Sequence, residues 1–341
     1  MKAIRIHAHG GTDQLRIDDT PEPKPGPRQV LVEVKAAGLN HLDIWVRKGF
    51  PGLHLPLTLG ADASGVVKEI GSGITQFAVG ERVLAQPGYG CGSCEECLSG
   101  REHYCSKYGI VGEHHSGVQS QLLALDEDKI IRMPSNIGFE EGAAIPLVYL
   151  TAWEMVVNKA RVRPGDTVLV VAASSGVGGA AVQIAKLHGA QVIATAGTTK
   201  LEKAKSLVAD FVIDHYKQDI AKEVKKITNG RGAQIVLDHV GAATWQASIR
   251  SLAKGGKLVV CGATTGHEGV VDLRFLYFRQ QAILGSTMGP RGDLFRILQL
   301  VEAGKLHGVV DKVYPFTEIA QAHEYLETGK QFGKVILNFC A

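Results

Sequence analysis

From residue 167 onward the chain repeats one pattern: a short apolar run, a break, then a stretch with helical spacing. Residues 167–172 read as a buried strand, and 177–188 as a helix stopped by Gly189. Strands follow at 191–195, 211–213, 234–238, 257–261 and 282–286, with helices over 200–208, through 227 and through 254. Parallel strands need a crossover between them, and a helix is the usual one. Six strands alternating with helices therefore predict a parallel, doubly wound sheet of α/β class.

The first strand of this repeat runs straight into Ala172-Ala173-Ser174-Ser175-Gly176-Val177-Gly178-Gly179-Ala180-Ala181. Gly176, Gly178 and Ala181 fit G-x-G-x-x-[GA] at a strand-to-helix turn. Glycine there permits the tight turn and a close backbone approach to a pyrophosphate, and the helix N-terminus adds N–H donors. Ser175, Gly176, Val177 and Gly178 are the expected phosphate-binding residues of a dinucleotide site. An NAD site usually places Asp or Glu about twenty residues further on, against the ribose 2′-hydroxyl. Here that stretch is Thr195-Ala196-Gly197-Thr198-Thr199-Lys200, which has no acid. Thr198, Thr199 and Lys200 offer hydroxyl and ammonium contacts to a 2′-phosphate, and His215 lies just past the third strand. The expectation is NADP(H), with NAD(H) as the alternative.

The first third has a different texture. Residues 30–34, 65–71 and 80–85 read as short strands, and Pro21, Pro23, Pro25 and Pro27 argue for an extended connection before them. Cys91, Cys94, Cys97 and Cys105 then fall in the pattern C-x2-C-x2-C-x7-C within a glycine-rich segment. Four thiolates at this spacing can close a tetrahedron around Zn²⁺, with no position left for water. Such a site stabilises a loop and performs no chemistry. Past Pro290 come helices over 294–301 and 318–326 and a strand over 334–339. That strand has no place in a finished six-stranded sheet, so it is expected to return to the first domain. The domains expected are 1–150, completed by 290–341, and 151–289.

With 45% hydrophobic and 21% charged residues, the 341-residue chain has the composition of a soluble globular protein. A net charge of +3, with no basic run, argues against nucleic acid as a partner. No apolar run approaches the roughly eighteen residues of a membrane span, and the charged N-terminus does not suit a signal peptide. A thiolate cluster with two isolated cysteines, Cys261 and Cys340, suits a reducing compartment, so a cytoplasmic location is expected.

Together these features resemble the medium-chain dehydrogenase/reductase superfamily. The resemblance rests on Ala37-Gly38-Leu39-Asn40-His41-Leu42-Asp43, Leu59-Gly60-Ala61-Asp62-Ala63-Ser64-Gly65-Val66-Val67, the four cysteines, Ala172 to Gly178, and Gly333-Lys334-Val335. It implies a GroES-like catalytic domain, a Rossmann domain that includes Gly262 in its cofactor site, and a nicotinamide held in the cleft between them. It also implies a homodimer or homotetramer formed through the nucleotide domains near residues 282–286. Zinc alcohol dehydrogenases of this family carry a second, catalytic zinc. Its cysteine position is Asn40 here, its Gly-His-Glu motif reads Gly60-Ala61-Asp62, and its third ligand falls near Leu147 or Val148. Asparagine followed by Asp43 looks like the quinone oxidoreductase branch, which has no metal at its active centre.

The function expected is NADP(H)-dependent hydride transfer to a quinone or an α,β-unsaturated carbonyl, with a structural zinc. Asn40 would donate a hydrogen bond to the substrate or the nicotinamide ribose, Asp43 would orient its loop, and Tyr149 is a candidate proton donor. Trp45 is a candidate for lining the pocket. A metal held by His41, Asp43 and Asp62 is the weaker alternative, and His114 with His115 is read as surface placement. Interconversion of alcohols with aldehydes or ketones, and a low-turnover, NADPH-binding structural or sensing role, are the other functional readings.

Overall fold

A computed structural model describes residues 1–50 and 52–340. The chain divides into two compact units, one made of residues 1–147 and 290–341, the other of 148–289. The first division falls within the helix Pro146–Trp153.

The first unit is built on a seven-stranded sheet whose centre is the strand Gln29–Gly38. Every second residue of Val30, Val32 and Val34 enters the core, alongside Val67, Val83, Val335 and Leu337. This strand pairs antiparallel with Asp62–Ile70, Leu122–Asp126 and the terminal strand Lys334–Asn338. The terminal strand thus does return to the first unit, and it enters near the middle of the sheet. It also pairs in parallel with Val310–Pro315, a strand the sequence reading passed over because Asp311 and Lys312 interrupt its apolar pattern.

Register places the chemistry. Gly38 pairs with Asp62 on one side and Ile336 on the other. Continuing the second ladder by two residues sets Lys334 opposite Asn40, which caps the helix His41–Lys48. A Cβ on Gly38 would stand 2.3 Å from the Ala143 carbonyl oxygen and 3.1 Å from Lys334 Cε, so the strand can end there only as glycine. The far end of the helix is fixed as well: buried Arg47 is ion-paired with Glu327 of the helix Ile319–Glu327.

The second unit carries a six-stranded, all-parallel sheet. Its order is Phe211–Asp214, Gln191–Ala196, Thr167–Val170, Ala233–Asp238, Leu252–Val260, Ala282–Gly285. This is the doubly wound arrangement expected from the alternating pattern, with its order reversing between Thr167–Val170 and Ala233–Asp238. One boundary moves. The helix expected through residue 254 ends at Ser251, and the next strand starts at once at Leu252. Gly255, at φ 76°, permits the turn that the strand makes before its straight apolar run. No helix among the described residues is long and apolar enough to cross a membrane.

Candidate functional site

Two separate groups of residues carry the candidate chemistry, one in each unit, and the four-cysteine loop forms a third feature.

In the first unit, Asn40 has the extended backbone of a helix cap (φ −125°, ψ 156°). Three residues on, the Asp43 carboxylate accepts the Asn40 backbone N–H at 2.8 Å. Such reciprocal capping fixes where the helix begins. The Asn40 side chain is held from both ends. Its Nδ2 donates to Asp62 Oδ2 at 2.9 Å, and its Oδ1 accepts from Lys334 Nζ at 2.6 Å. Lys334 Nζ also lies 2.9 Å from Asp62 Oδ2, while Asp62 Oδ1 accepts the Leu147 backbone N–H at 2.8 Å. All four residues, Asn40, Asp43, Asp62 and Lys334, are buried. Burial pushes the Asp43 carboxyl up to about 7, opposed by the Asn40 N–H and by the Lys334 charge.

Lys334 was not singled out from the sequence as a site residue, although Gly333-Lys334-Val335 was part of the resemblance. The available signal was a lysine heading an otherwise apolar strand. His41 and Trp45 are half-buried on the helix surface, with ring centroids 6.5 Å apart.

In the second unit, the helix Gly176–Leu187 starts where the motif requires. Ser175 is its cap, and Ser175 Oγ accepts the Gly178 N–H at 2.9 Å. A Cβ on Gly178 would stand 2.3 Å from the Ala172 carbonyl oxygen, so glycine there permits close helix–strand packing. The first N–H groups of this helix, at Gly176 and Val177, have no partner within the helix. They form the kind of positive helix end that suits a pyrophosphate, so these residues fit a dinucleotide. His239, just past the strand Ala233–Asp238, reaches across the switch point to Ser175, with Nε2 at 2.7 Å from Oγ. Burial pushes its imidazole down, toward the neutral form. Gly262 faces the same residue: a Cβ there would be 3.0 Å from the His239 carbonyl oxygen. Sequence reasoning missed His239 because its contact arises only when two non-adjacent strand ends meet.

At the end of Gln191–Ala196, Thr198 and Lys200 sit in a short 3₁₀ turn ahead of the helix Leu201–Ser206. Thr198 Oγ1 donates to Asp214 Oδ2 at 2.6 Å, and Asp214 Oδ1 accepts the Tyr216 N–H at 3.0 Å. The Thr198 hydroxyl holds the Asp214 carboxyl below its ordinary range. The carboxylate beside this turn thus belongs to the neighbouring strand, where Ala196 pairs with Asp214, and it is already hydrogen-bonded within the chain. His215 is half-buried, and burial pushes its imidazole toward the neutral form. Tyr149 is fully buried in this unit, its hydroxyl accepting from Gln183 Nε2 at 2.7 Å. That contact ties it to the phosphate-loop helix.

The four cysteine sulfurs all lie within 4.8 Å of one another, and Cys91 Sγ to Cys97 Sγ is 4.0 Å. Tetrahedral zinc with 2.3 Å bonds sets its sulfurs about 3.8 Å apart, whereas a disulfide needs about 2.05 Å. The donor set fits zinc. Backbone N–H groups of Cys91 and Lys107 point at Cys105 Sγ, at 3.5 and 3.3 Å, and support a thiolate. Burial pushes the Cys97 thiol up to about 12, so loading a divalent cation there releases protons. Among the described residues this is the one group of three or more potential ligands that converges. His115 instead stacks on Tyr89 with centroids 4.4 Å apart, and His114 Nδ1 accepts from the Ile110 N–H at 3.3 Å.

Two measurements follow. Purified protein is expected to hold about one zinc per chain by elemental analysis. Cys97→Ser should lose it and lower the thermal midpoint, whereas six freely titrating thiols in native protein with no change in metal content would contradict the site. Asp43 should also make stability depend on pH. Its folded value near 7 lies above the unfolded value of about 3.9. The native state therefore binds this proton more tightly, and its contribution, up to about 4 kcal/mol, is present below about pH 4 and lost by about pH 7. Denaturant unfolding should show Asp43→Asn, which keeps an acceptor and does not titrate, losing less stability than wild type over that window. Parallel curves would mean that Asp43 is ionised throughout.

Comparison with known proteins places these features in one family. Residues 26–135 match the alcohol dehydrogenase GroES-like domain, and residues 176–303 match the zinc-binding dehydrogenase domain. A crystal structure of an NAD-dependent alcohol dehydrogenase superposes with a TM-score of 0.96 at 49% identity, covering 99% of each chain. The quinone oxidoreductase of Pseudomonas aeruginosa is 31% identical over 98% of this chain and 99% of its own. The acryloyl-coenzyme A reductase of Metallosphaera sedula is 31% identical over 99% of both. With its GroES-like and Rossmann folds, its phosphate loop and its relatives over full length, the chain belongs to the medium-chain dehydrogenase/reductase superfamily and is an NAD(P)-dependent oxidoreductase.

Proposed function

We propose that this enzyme transfers hydride from NADP(H) to an electron-poor acceptor, a quinone or an α,β-unsaturated carbonyl, without a catalytic metal. The observation that carries the reading is the Asn40–Asp62–Lys334 arrangement. At the positions where the family's zinc enzymes place metal ligands, this chain has Asn40, Ala61 and the apolar Leu147 and Val148. An ammonium already lies against Asn40 and Asp62, and its charge opposes a second cation there. Both a quinone oxidoreductase and an acryloyl-coenzyme A reductase are among the relatives, and both names describe reduction of conjugated acceptors.

When bound, the nicotinamide supplies two electrons and one hydrogen nucleus to the acceptor carbon, and the reduced acceptor takes one further proton. Asn40 has two side-chain N–H groups. Asp62 takes one, and the other is the donor assigned to the acceptor oxygen. Asp43 fixes the turn from which Asn40 projects. Tyr149 is the proposed proton source. The Gln183 contact, in which its oxygen is the acceptor, would set the orientation of the hydroxyl.

For the cofactor, the turn after Gln191–Ala196 carries Lys200 and no acid of its own, and the Asp214 carboxylate is engaged by Thr198 and the Tyr216 N–H. This supports NADP(H). The 49%-identical structure of an NAD-dependent alcohol dehydrogenase favours the second reading, NAD(H)-linked interconversion of alcohols and carbonyls. The edge strand Ala282–Gly285 is proposed to pair with a second copy, beside the exposed Leu273, Phe275, Tyr277 and Phe278. Light scattering should then give a dimeric or tetrameric mass, and a monomer at working concentration would remove this part.

The deciding experiment measures NADPH and NADH oxidation against quinones, enones, aldehydes and ketones. Fast NADPH-dependent turnover of quinones or enones is expected, with Lys200→Ala reducing the preference for NADPH over NADH. Turnover confined to aldehydes and ketones, dependent on a second zinc, would overturn the reading.

A further inference from the structure

Lys334 is a buried lysine at the head of an otherwise apolar strand. Its side chain is 4% exposed, its Nζ lies 2.6 Å from Asn40 Oδ1, and it is paired at 2.9 Å with Asp62, which is fully buried. Desolvating such a pair costs several kcal/mol per ion, and well-packed apolar side chains of the same volume often hold a core at least as well. A simple structural tie between the last strand and the first helix therefore does not require these charges. The two partners are also chemically selected. One is the carboxamide assigned above to the acceptor, and the other is the acid that shares its remaining contact.

The geometry points to Lys334 as a positioning residue of the hydride-transfer centre: a covalently tethered cation that fixes the Asn40 carboxamide for the acceptor oxygen. This inference rests on the function proposed above. The amide can rotate about its terminal torsion unless both ends are held. Lys334 specifies the oxygen end, because an ammonium only donates, and Asp62 specifies the nitrogen end, because a carboxylate only accepts. The pair thus sets which face of Asn40 presents N–H. Arginine would keep the charge, but its planar fork does not reproduce a compact three-donor group.

The test is a double-mutant cycle of Asn40→Ala and Lys334→Met, with Lys334→Arg alongside, followed by steady-state kinetics on a quinone and an enone. Lys334→Met should lower kcat at least about tenfold, with little change in the KM for the cofactor. A misplacement of about 1 Å can cost up to about 100-fold. Lys334→Arg should recover part of the loss. The double variant should be no slower than the worse single one, because both changes remove one function. If Lys334→Met does not fold, Asp62→Asn/Lys334→Met, which removes both charges, takes its place in the cycle.

A second readout is independent of turnover. In asparagine-labelled protein, the Asn40 side-chain amide resonances, identified by their loss in Asn40→Ala, should shift toward solvent-exposed positions in the Lys334 variant. Unchanged resonances would overturn the proposal, as would losses in kcat that multiply. A slow Asn40→Ala beside a fully active Lys334→Met would also sink it, while leaving the proposed function standing. Full activity of both single variants on quinones and enones would remove the role of Asn40 and this inference together.

Discussion

The buried bond between Lys334 and Asp62 is the constraint on which the first unit depends. It closes the sheet chemically where the register closes it geometrically. Gly38 pairs with Asp62 and Ile336, so Lys334, two positions before Ile336, meets both Asp62 and Asn40 over the end of the central strand. Breaking a buried pair by removing one partner costs about 3–5 kcal/mol, against a total stability of about 5–15 kcal/mol for a typical domain. A sequence that keeps such a pair accepts a fragile point, and it keeps that point beside Asn40. The second anchor, Arg47 to Glu327, holds the same helix against the segment just before the terminal strand. Asn40 therefore stands on a turn fixed at both ends to the last part of the chain, which favours one conformation for its loop.

The second unit solves a different problem, presenting backbone N–H groups to an anion without burying them unpaired. Ser175 takes the Gly178 N–H and leaves those of Gly176 and Val177 for a ligand. His239 in turn holds Ser175 Oγ through its Nε2 at 2.7 Å, while Ser175 Oγ accepts the Gly178 N–H of the helix. This chain of contacts spans the switch point of the sheet, where a doubly wound fold binds its ligand. At the end of the strand Gln191–Ala196, Asp214 and Thr198 satisfy each other, so the negative charge at that edge is already hydrogen-bonded within the chain.

How far the sequence could be read follows from the range of the interactions. Periodicity is local, so the six strands of the second unit were legible, as were the capped helix after Ser175 and the return of the final strand. The strand Val310–Pro315 was not, because Asp311 and Lys312 break its alternation and its pairing with Lys334–Asn338 is parallel across more than twenty residues. Cysteine spacing announced the convergence of the four thiols because they are sequence neighbours. Lys334 and His239 could not announce themselves. Each acquires its meaning from a residue 272 or 64 positions away, through a register that no single segment specifies. The stretch after Gly176 has no acid along the chain, and the carboxylate beside it in space, Asp214, comes from the next strand through pairing that the stretch itself does not specify.

The nature of the fixed cation bears on which acceptors such a centre can serve. A zinc ion polarises an oxygen strongly enough to stabilise an alkoxide and lowers the pKa of a bound water to about 7. An ammonium held by Asn40 and Asp62 is partly neutralised by its own carboxylate partner, and in the proposed role it would act through an amide hydrogen bond. Its help to a developing oxyanion is therefore smaller than that of an open metal site. Reduction of an isolated ketone places a full alkoxide charge on one oxygen. Reduction of a quinone or an enone spreads that charge over a conjugated system, and hydride adds to a carbon remote from the oxygen. The weaker, precisely oriented donor suits the second case, where positioning accounts for more of the rate than polarisation does. A centre with Asn40, Ala61 and apolar Leu147 and Val148 at the ligand positions, and a tethered lysine beside them, would thereby narrow its acceptors to those already activated.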